Sequence, residues 1–273
     1  MPLPEYEVFA IKYAERDARR ADNFVGGDPH DAPMPMDYFV WLLRSGDRVL
    51  LVDTGFDAAM AQKRGRRLLR LPKAVLAQLG VQANEVRDIV ITHLHNDHVG
   101  TFFDFPAATF HLQDREMAYV TGRCMRHERL RRPFEADHVA GMIRLAYAGR
   151  VAFHDGEGEI APGVSVHRIG GHTAGLQVVR VSTRRGNVVL ASDASHYYEH
   201  FERGTCFPVT YHLGEVLEGY ARLHRLADTP AHIVPGHDPL VLERYPAATE
   251  AMKGIAAQID AEPLDLRAST ITT

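Results

Sequence analysis

The segment His93-Leu94-His95-Asn96-Asp97-His98 places four metal-binding residue types within six positions. Side chains two apart on an extended strand point to the same side, so His93 and His95 can reach one ion. Asp97 and His98 follow where the chain turns, and they can face a second ion beside the first. Such nitrogen and carboxylate ligands suit zinc and its neighbouring divalent metals. Although the chain has 16 histidines, chance rarely gives this spacing, which therefore predicts a metal site.

Three later residues of the same types also follow predicted strands. His172 lies in the segment GGHTAG, Asp193 follows VVLAS, and His237 lies in the segment PGHD. The glycines beside them allow the backbone to approach an ion closely. Each residue alone is a weak signal, because a polar residue in a loop is usually just solvated. Together with the first four they make a set of seven ligands, which suits two ions that share a carboxylate.

Alternating strands and helices must position these residues. Hydrophobic periodicity predicts strands at 6–13, 38–43, 49–52, 89–92, 109–112, 164–169, 176–182, 188–191 and 232–234. It predicts helices at 72–79, 115–120, 135–148, 215–226 and 248–259. The Gly-, Pro- and Asp-rich segment 21–37 is predicted to be a loop that covers the active site. No repeat or linker is visible, so we expect a single domain over 1–273 with sheets inside and helices outside.

Composition narrows the class of protein. The 273 residues carry a formal net charge of −4, so we expect no nucleic-acid partner. The two cysteines, Cys124 and Cys206, are too few for a disulfide framework. No signal segment or apolar run long enough to span a membrane is visible, and we expect a cytoplasmic protein without a membrane partner. The arginine-rich stretches 64–70 and 123–132 could form a basic surface that binds a substrate, but solvated helix faces are the preferred interpretation.

The segments THLHNDHVG, GGHTAG, SDAS and PGHD, together with LLVDTG at 50–55, resemble the metallo-β-lactamase superfamily in their order and spacing. The resemblance covers residues from about 39 to 238. It implies an α+β fold, a four-layer αβ/βα sandwich with two mixed sheets inside and two divalent ions at the sheet edge. It assigns the first ion to His93, His95 and His172, the second to Asp97, His98 and His237, and the bridge between them to Asp193. Asp53 would orient ligands through hydrogen bonds.

A site for two neighbouring metal ions indicates that the protein is a hydrolase. In this interpretation a metal-bridging hydroxide attacks an ester-type carbonyl, and Asp97 accepts and passes on the proton. The sequence has no G-x-S-x-G segment for a competing serine mechanism. Because β-lactamases of this superfamily lack the bridging aspartate, Asp193 argues against antibiotic hydrolysis. The ligand set accepts zinc most readily, and also manganese, cobalt or iron.

Within the superfamily the chain resembles the quorum-quenching N-acyl-homoserine lactonases most, through NFVGGDPHDAPMPMDYFVWLL at 23–43 and the SDAS segment. The resemblance implies a lactone substrate and allows a homodimer. One position departs from that branch, because His196 stands where its members carry a tyrosine that binds the lactone. His196 can donate a hydrogen bond in the tyrosine's place, or Tyr197 or Tyr198 can turn in to do so. The change also leaves open another lactone, such as a 4-pyridoxolactone-like one, or a thioesterase or phosphodiesterase of the same fold.

The predicted substrate pocket consists of four apolar loop residues that the resemblance places near the metals, Phe24, Met34, Met36 and Phe102. Tyr197 is added as a candidate replacement for the tyrosine of the lactonases. Capping of the hydrophobic core is an equally good interpretation of the four loop residues among them.

Overall fold

The computed structural model describes residues 3–264, so the outermost residues of the predicted 1–273 domain lie outside the described part. Thirteen strands occur within it. They are β1 (Glu7–Arg16), β2 (Met36–Ser45), β3 (Arg48–Val52), β4 (Arg67–Leu68), β5 (Asp88–Val90), β6 (Thr109–Gln113), β7 (Val151–His154), β8 (Glu157–Ala161), β9 (Val164–Arg168), β10 (Gln177–Thr183), β11 (Gly186–Ser192), β12 (Ile233–Pro235) and β13 (Ala256–Gln258).

The strands form two mixed sheets. The first sheet has the order β13-β1-β2-β3-β5-β6-β7, with β4 paired to β1, and the second has the order β12-β11-β10-β9-β8. Strands β3, β5, β6 and β7 run parallel, whereas β1 to β3 form antiparallel hairpin-like pairs. In the second sheet β11 and β12 are parallel and the other pairs are antiparallel. Parallel neighbours end at the same edge, which places several strand ends together.

Helices cover both sheets on their outer faces. They are α1 (Arg20–Asn23), α2 (Ala58–Arg64), α3 (Pro72–Gln78), α4 (Asn96–Val99), α5 (Asp114–Val120), α6 (Glu128–Arg131), α7 (Ala136–Tyr147), α8 (Tyr198–Arg203), α9 (Leu213–Leu226) and α10 (Leu240–Arg244). The result is a four-layer αβ/βα sandwich, which confirms the predicted α+β class. Among residues 3–264 no helix is long and apolar enough to cross a membrane.

The core follows from the alternation of side chains along the strands. In β1, Val8 and Ala10 face the second sheet, whereas Phe9 and Ile11 face the outer helices. Because both faces of the first sheet are covered, β2 is an almost continuous apolar run, in which Trp41 is completely buried. Two large apolar clusters therefore lie on either side of the first sheet, and they hold the strand ends rigidly.

The predicted helix at 248–259 is wrong. The chain makes a short 3₁₀ turn at Glu250–Met252 and then strand β13, which pairs antiparallel with β1 from Phe9 to Ile11. Gly254 has φ of +71°, a conformation that ends helical geometry. Pairing with β13 satisfies the open edge of β1, and this tertiary demand outweighs the local helix propensity of the segment.

Segment 21–37 is not a loop throughout. Helix α1 begins at Arg20, and Met36 and Asp37 already belong to β2. The segment is held by hydrogen bonds at both ends. The Arg20 amide donates to the Ala32 carbonyl at 2.9 Å, and the Asp37 amide donates to the His237 carbonyl at 3.0 Å. The segment thus lies beside the ligand-bearing loop at 237.

The inter-sheet core predicts a specific stability difference. Leu190 on β11 is fully buried between the sheets, whereas Leu217 on α9 is 46% exposed. We expect Leu190→Ala to lower the free energy of unfolding by about 2–5 kcal/mol, because it leaves a cavity. Leu217→Ala, the same chemical change at the surface, should stay within about 0.5 kcal/mol. Urea unfolding of both variants in excess chelator measures this; equal effects would contradict the described packing.

Candidate metal centre

All seven predicted ligands follow strands that end at one edge of the sandwich. His93 to His98 follow β5, and Asp193 directly follows β11. His237 follows β12, the parallel neighbour of β11, and His172 lies in the connection from β9 to β10. A Cβ atom at Gly236 would lie 2.7 Å from the Ser192 carbonyl carbon, so this close approach of two ligand loops requires glycine.

A first group of ligand atoms comes from His93, His95, His172 and Asp193. One ligand atom from each lies within 4.8 Å of the others. The Nε2 of His172 is 2.9 Å from the Nδ1 of His95 and 3.2 Å from the Oδ2 of Asp193. The structure therefore brings together the three histidines that the family resemblance assigned to the first ion and Asp193, which it assigned as the bridge.

A second group consists of Asp97, His98 and His237, whose ligand atoms also lie within 4.8 Å of one another. Asp193 faces this group with its other oxygen: Oδ1 is 3.2 Å from the Nε2 of His98 and 3.1 Å from the Nε2 of His237. One carboxylate thus directs Oδ2 to the first group and Oδ1 to the second. This is the arrangement that a bridging ligand requires.

The donor atoms fit divalent cations. Three buried atoms at the centre have no hydrogen-bond partner: the Nε2 of His93, the Nε2 of His98 and the Oδ1 of Asp193. Such atoms are costly unless an ion or water satisfies them. Burial lowers the pKa of His93 and of His95 well below the usual imidazole value, so both offer a free lone pair. Nitrogen and carboxylate donors in this mixture are suited to divalent metals.

Hydrogen bonds fix which nitrogen each imidazole turns towards the centre. The Nδ1–H of His98 donates to Asp53 Oδ2 at 2.7 Å. The corresponding group of His237 donates to the Asp37 carbonyl at 2.8 Å, and that of His172 donates to the Val209 carbonyl at 2.6 Å. These bonds turn the Nε2 of all three rings towards the centre, where an ion would take its lone pair.

Asp53 lies behind the ligands and carries unusual backbone geometry. It is completely buried, and its carboxylate also accepts hydrogen bonds from the Thr92 amide and hydroxyl, both at 2.8 Å. Its φ of 62°, like the φ of 44° at Ser192, lies in the left-handed region that disfavours residues other than glycine. Both strained residues lie next to the metal ligands, where surrounding contacts hold them in place.

Glu116 is a buried residue of the centre that the sequence did not reveal. Its Oε1 accepts from the Leu94 amide at 2.9 Å. Its Oε2 accepts from the Thr173 hydroxyl at 2.6 Å and the Gly175 amide at 3.0 Å. Burial raises the pKa of Glu116 to about 6, although these hydrogen bonds oppose the shift. The carboxylate ties the loop of His93 and His95 to the loop of His172; in the sequence it resembles any acidic residue in a helix's first turn.

Asp97 and His196 are the two predicted catalytic residues, and both line the cleft above the ligands. The Asp97 side chain is 19% exposed, with Oδ2 3.8 Å from the Nε2 of His98. His196 places Nε2 3.0 Å from Asp193 Oδ2, and its ring stacks on Phe207 with centroids 3.7 Å apart. Both side chains therefore face the space that a substrate would enter.

The predicted pocket residues separate into different places. Met36 lines the metal cleft. Phe24 packs against His200, and the Tyr197 hydroxyl bonds the Met34 and Pro35 carbonyls at 3.3 and 3.1 Å. Phe102 packs on Gly141 of α7, away from the cleft. The structure thus brings only Met36 to the ligands, because Phe24, Met34, Tyr197 and Phe102 cap the core or anchor the segment 21–37.

The cleft is lined by arginines as well. Its volume next to the ligands is about 140 Å³, and its wall includes Arg16, Arg64, Arg66 and Arg132. A neighbouring cavity of about 440 Å³ shares His95, Arg132 and His172 with it. The prediction of solvated helix faces is therefore wrong at Arg64 and Arg66, which are half-buried at the cleft, whereas Arg132 at the end of 123–132 is exposed. Their proximity depends on how β1, β4 and α6 fold together, which local sequence does not indicate.

A family model described as the metallo-beta-lactamase superfamily matches residues 34–239. The match covers more than half of the chain and includes every predicted ligand. The chain belongs to the metallo-beta-lactamase superfamily, and it is a metal-dependent hydrolase of that superfamily.

Relatives in sequence are distant. A probable metallo-hydrolase of Mycobacterium bovis is 28% identical over 237 residues, which cover 73% of this chain and 74% of the relative. An N-acyl homoserine lactonase, AttM, of Azorhizobium caulinodans is 27% identical over 169 residues, covering 61% of this chain and 63% of the relative. At these identities the substrate of a relative cannot be assigned to this chain.

Solved structures share the fold. A quorum-quenching N-acyl homoserine lactone lactonase superimposes with a TM-score of 0.72 at 20% identity, covering 87% of this chain and 94% of the other. A dizinc quorum-quenching lactonase, AidC, gives a TM-score of 0.67 at 17% identity and covers 87% and 89%. At these identities the similarity establishes the architecture alone.

The contacts of Glu116 predict its effect on metal binding. Because all three neighbours are donors, Glu116→Gln must turn an amide N–H₂ towards a donor. We expect the zinc affinity to fall roughly 10- to 100-fold, as for other residues that orient ligands. Competition with a chromogenic chelator measures the affinity, and circular dichroism checks the fold. The matched control is Glu85→Gln, which changes an exposed glutamate. An unchanged zinc affinity in Glu116→Gln would contradict the role of Glu116 in holding the two ligand loops together.

Proposed function

We propose that this protein is a dinuclear metal-dependent lactonase, which adds water across the ester bond of a lactone ring. The observation that carries the proposal is the Asp193 carboxylate, which faces one group of ligands with each oxygen. The membership in a superfamily of metal-dependent hydrolases supports the reaction type. The relatives that are named N-acyl homoserine lactonases support the lactone substrate.

We propose zinc as the metal, because imidazole and carboxylate donors suit it, with manganese, cobalt and iron as alternatives that the same donors accept. A pair of divalent ions at these ligands would lower the pKa of water towards about 7 and polarise an ester carbonyl. His93, His95 and His172 would hold one ion, and Asp97, His98 and His237 the other.

Asp97 is suited to moving the proton. Its carboxylate is the most open among the ligands, and the Tyr13 hydroxyl fixes its main chain by donating to the Asp97 carbonyl at 2.7 Å. Accepting the proton of the attacking water and passing it to the leaving alkoxide needs a carboxylate at this place. The newly formed carboxylic acid then ionises, so each turnover releases one proton at neutral pH.

His196 is suited to orienting the substrate. Its ring is fixed between Phe207, on which it stacks, and Asp193, which accepts from its Nε2. In the lactonases that the chain resembles, a tyrosine stands at this position. We propose that the imidazole instead contacts the ester group of the substrate. The shorter, fixed donor favours a lactone that differs in shape from the simple N-acyl-homoserine lactones, which remain the first compounds to test.

A hydrolysis panel tests the reaction class. The zinc-loaded protein should hydrolyse lactones faster than thioesters or phosphodiesters, releasing one proton per turnover to a pH indicator. Compared at equal metal content, because Asp97 also belongs to the second ligand group, Asp97→Asn should lower kcat by roughly 10²–10⁴-fold through loss of the proton acceptor. Asp104→Asn, whose side chain pairs with Lys73 outside the cleft, is the control. Preferential cleavage of a thioester or a phosphodiester would refute the lactonase.

The His196→Tyr variant tests the role of this imidazole. Restoring the tyrosine of the lactonase branch should raise kcat/KM for N-acyl-homoserine lactones. It should lower kcat/KM for the other lactone that the wild-type protein hydrolyses fastest. Metal content, measured by atomic emission, should stay the same. If the variant loses a metal ion instead, His196 acts as an additional ligand rather than as a substrate contact.

A further inference from the structure

We infer that the substrate carries an anionic group, a carboxylate or phosphate, which Arg16, Arg66 and Arg132 bind at the wall of the metal cleft. This inference rests on the proposed function and specifies its substrate. The three arginines come from distant parts of the chain: the end of β1, the residue before β4 and the residue after α6. They line the same small cleft as Asp97 and His196.

These three arginines differ from Arg64, the fourth arginine of the cleft, in having no carboxylate partner. Arg64 also lines the cleft, but its guanidinium pairs with Glu135 at 2.5 Å and donates to two backbone carbonyls. For Arg16, Arg66 and Arg132, no carboxylate oxygen of residues 3–264 lies within 4.0 Å of the guanidinium nitrogens. Three unpaired cations therefore share one concave surface, which focuses a positive potential on the cleft.

Contacts other than ion pairs hold Arg16 and Arg66 in place. Arg16 donates from Nη2 to the Met36 sulfur at 2.9 Å, and its Nε is buried without a hydrogen-bond partner. Arg66 donates from Nη1 to the Arg64 carbonyl at 2.9 Å, and its guanidinium lies 5.8 Å from the centroid of the Tyr38 ring. Both of these side chains are partly buried, whereas Arg132 is exposed at the rim of the cleft. Arg16 and Arg66 are thus in position before a ligand arrives, while donors remain free.

A plain N-alkanoyl-homoserine lactone does not match this wall. Its acyl chain would place apolar carbon against guanidinium groups and would leave them unpaired. A carboxylate or phosphate accepts two parallel N–H bonds from a guanidinium, which is the pairing that arginine makes best. Two divalent cations beside the wall would add further positive charge, so an anionic group is favoured there. The neighbouring cavity of about 440 Å³ has room for the rest of such a molecule.

The test compares three homoserine lactones whose acyl chains have equal length and end in a carboxylate, a phosphate or a neutral amide. Zinc-loaded wild-type protein should show kcat/KM at least roughly tenfold higher for an anionic compound than for the amide. The better of the two anions identifies the group. Arg66→Met should reduce kcat/KM for that anion roughly 10- to 100-fold, mainly through KM, and should leave the amide within about twofold.

Arg67→Met is the matched control, because this neighbouring arginine is 68% exposed and pairs with Glu15 outside the cleft. Calorimetric binding of the ring-opened products gives a readout independent of turnover. Equal rates for the anionic and neutral lactones, unchanged by Arg66→Met, would overturn the inference and leave the lactonase intact. Arg66-dependent binding of the anionic product without hydrolysis of any lactone would support the anion site and refute the lactonase function. If the protein neither binds the anionic product nor hydrolyses a lactone, the anion site and the lactonase function are both refuted.

Discussion

The structure depends on one buried carboxylate that is shared between two groups of imidazoles. Asp193 lies within about a hydrogen-bond length of four histidines that come from the connections after β5, β9, β11 and β12. Desolvating a carboxylate and so many nitrogens is costly unless cations compensate. Because Asp193 directly follows β11, the position of β11 between β10 and β12 places this carboxylate at the edge where both sheets end.

Rigid surroundings keep the ligands in place. The apolar clusters on both faces of the first sheet fix the ends of β3 and β5, and Asp53 and Ser192 accept strained backbone angles beside the ligands. Glu116 links two ligand loops through three hydrogen bonds. Arginines without carboxylate partners line the cleft next to Asp97.

The sequence predicted what is local or periodic, and it missed what depends on tertiary contacts. The ligand set and most strands were visible because His93 to His98, His172, Asp193 and His237 each follow an apolar run. The segment 248–259 looked helical because its propensity is local, whereas its pairing with β1 joins residues about 250 positions apart. The family resemblance placed Phe102 near the metals, but its ring packs against Gly141 of α7. Glu116 had no distinguishing local pattern. The arginine-rich stretches 64–70 and 123–132 were visible in the sequence, but only the folded chain brings Arg64, Arg66 and Arg132 to the cleft.

The most direct test of the shared carboxylate is the magnetic coupling between two ions. Protein loaded with two equivalents of manganese(II) should give the electron paramagnetic resonance spectrum of an exchange-coupled pair, as expected for ions about 3.5–4 Å apart. Asp193→Ala should abolish that coupling. A wild-type spectrum from isolated, uncoupled manganese ions, or binding of a single ion per chain, would contradict the account.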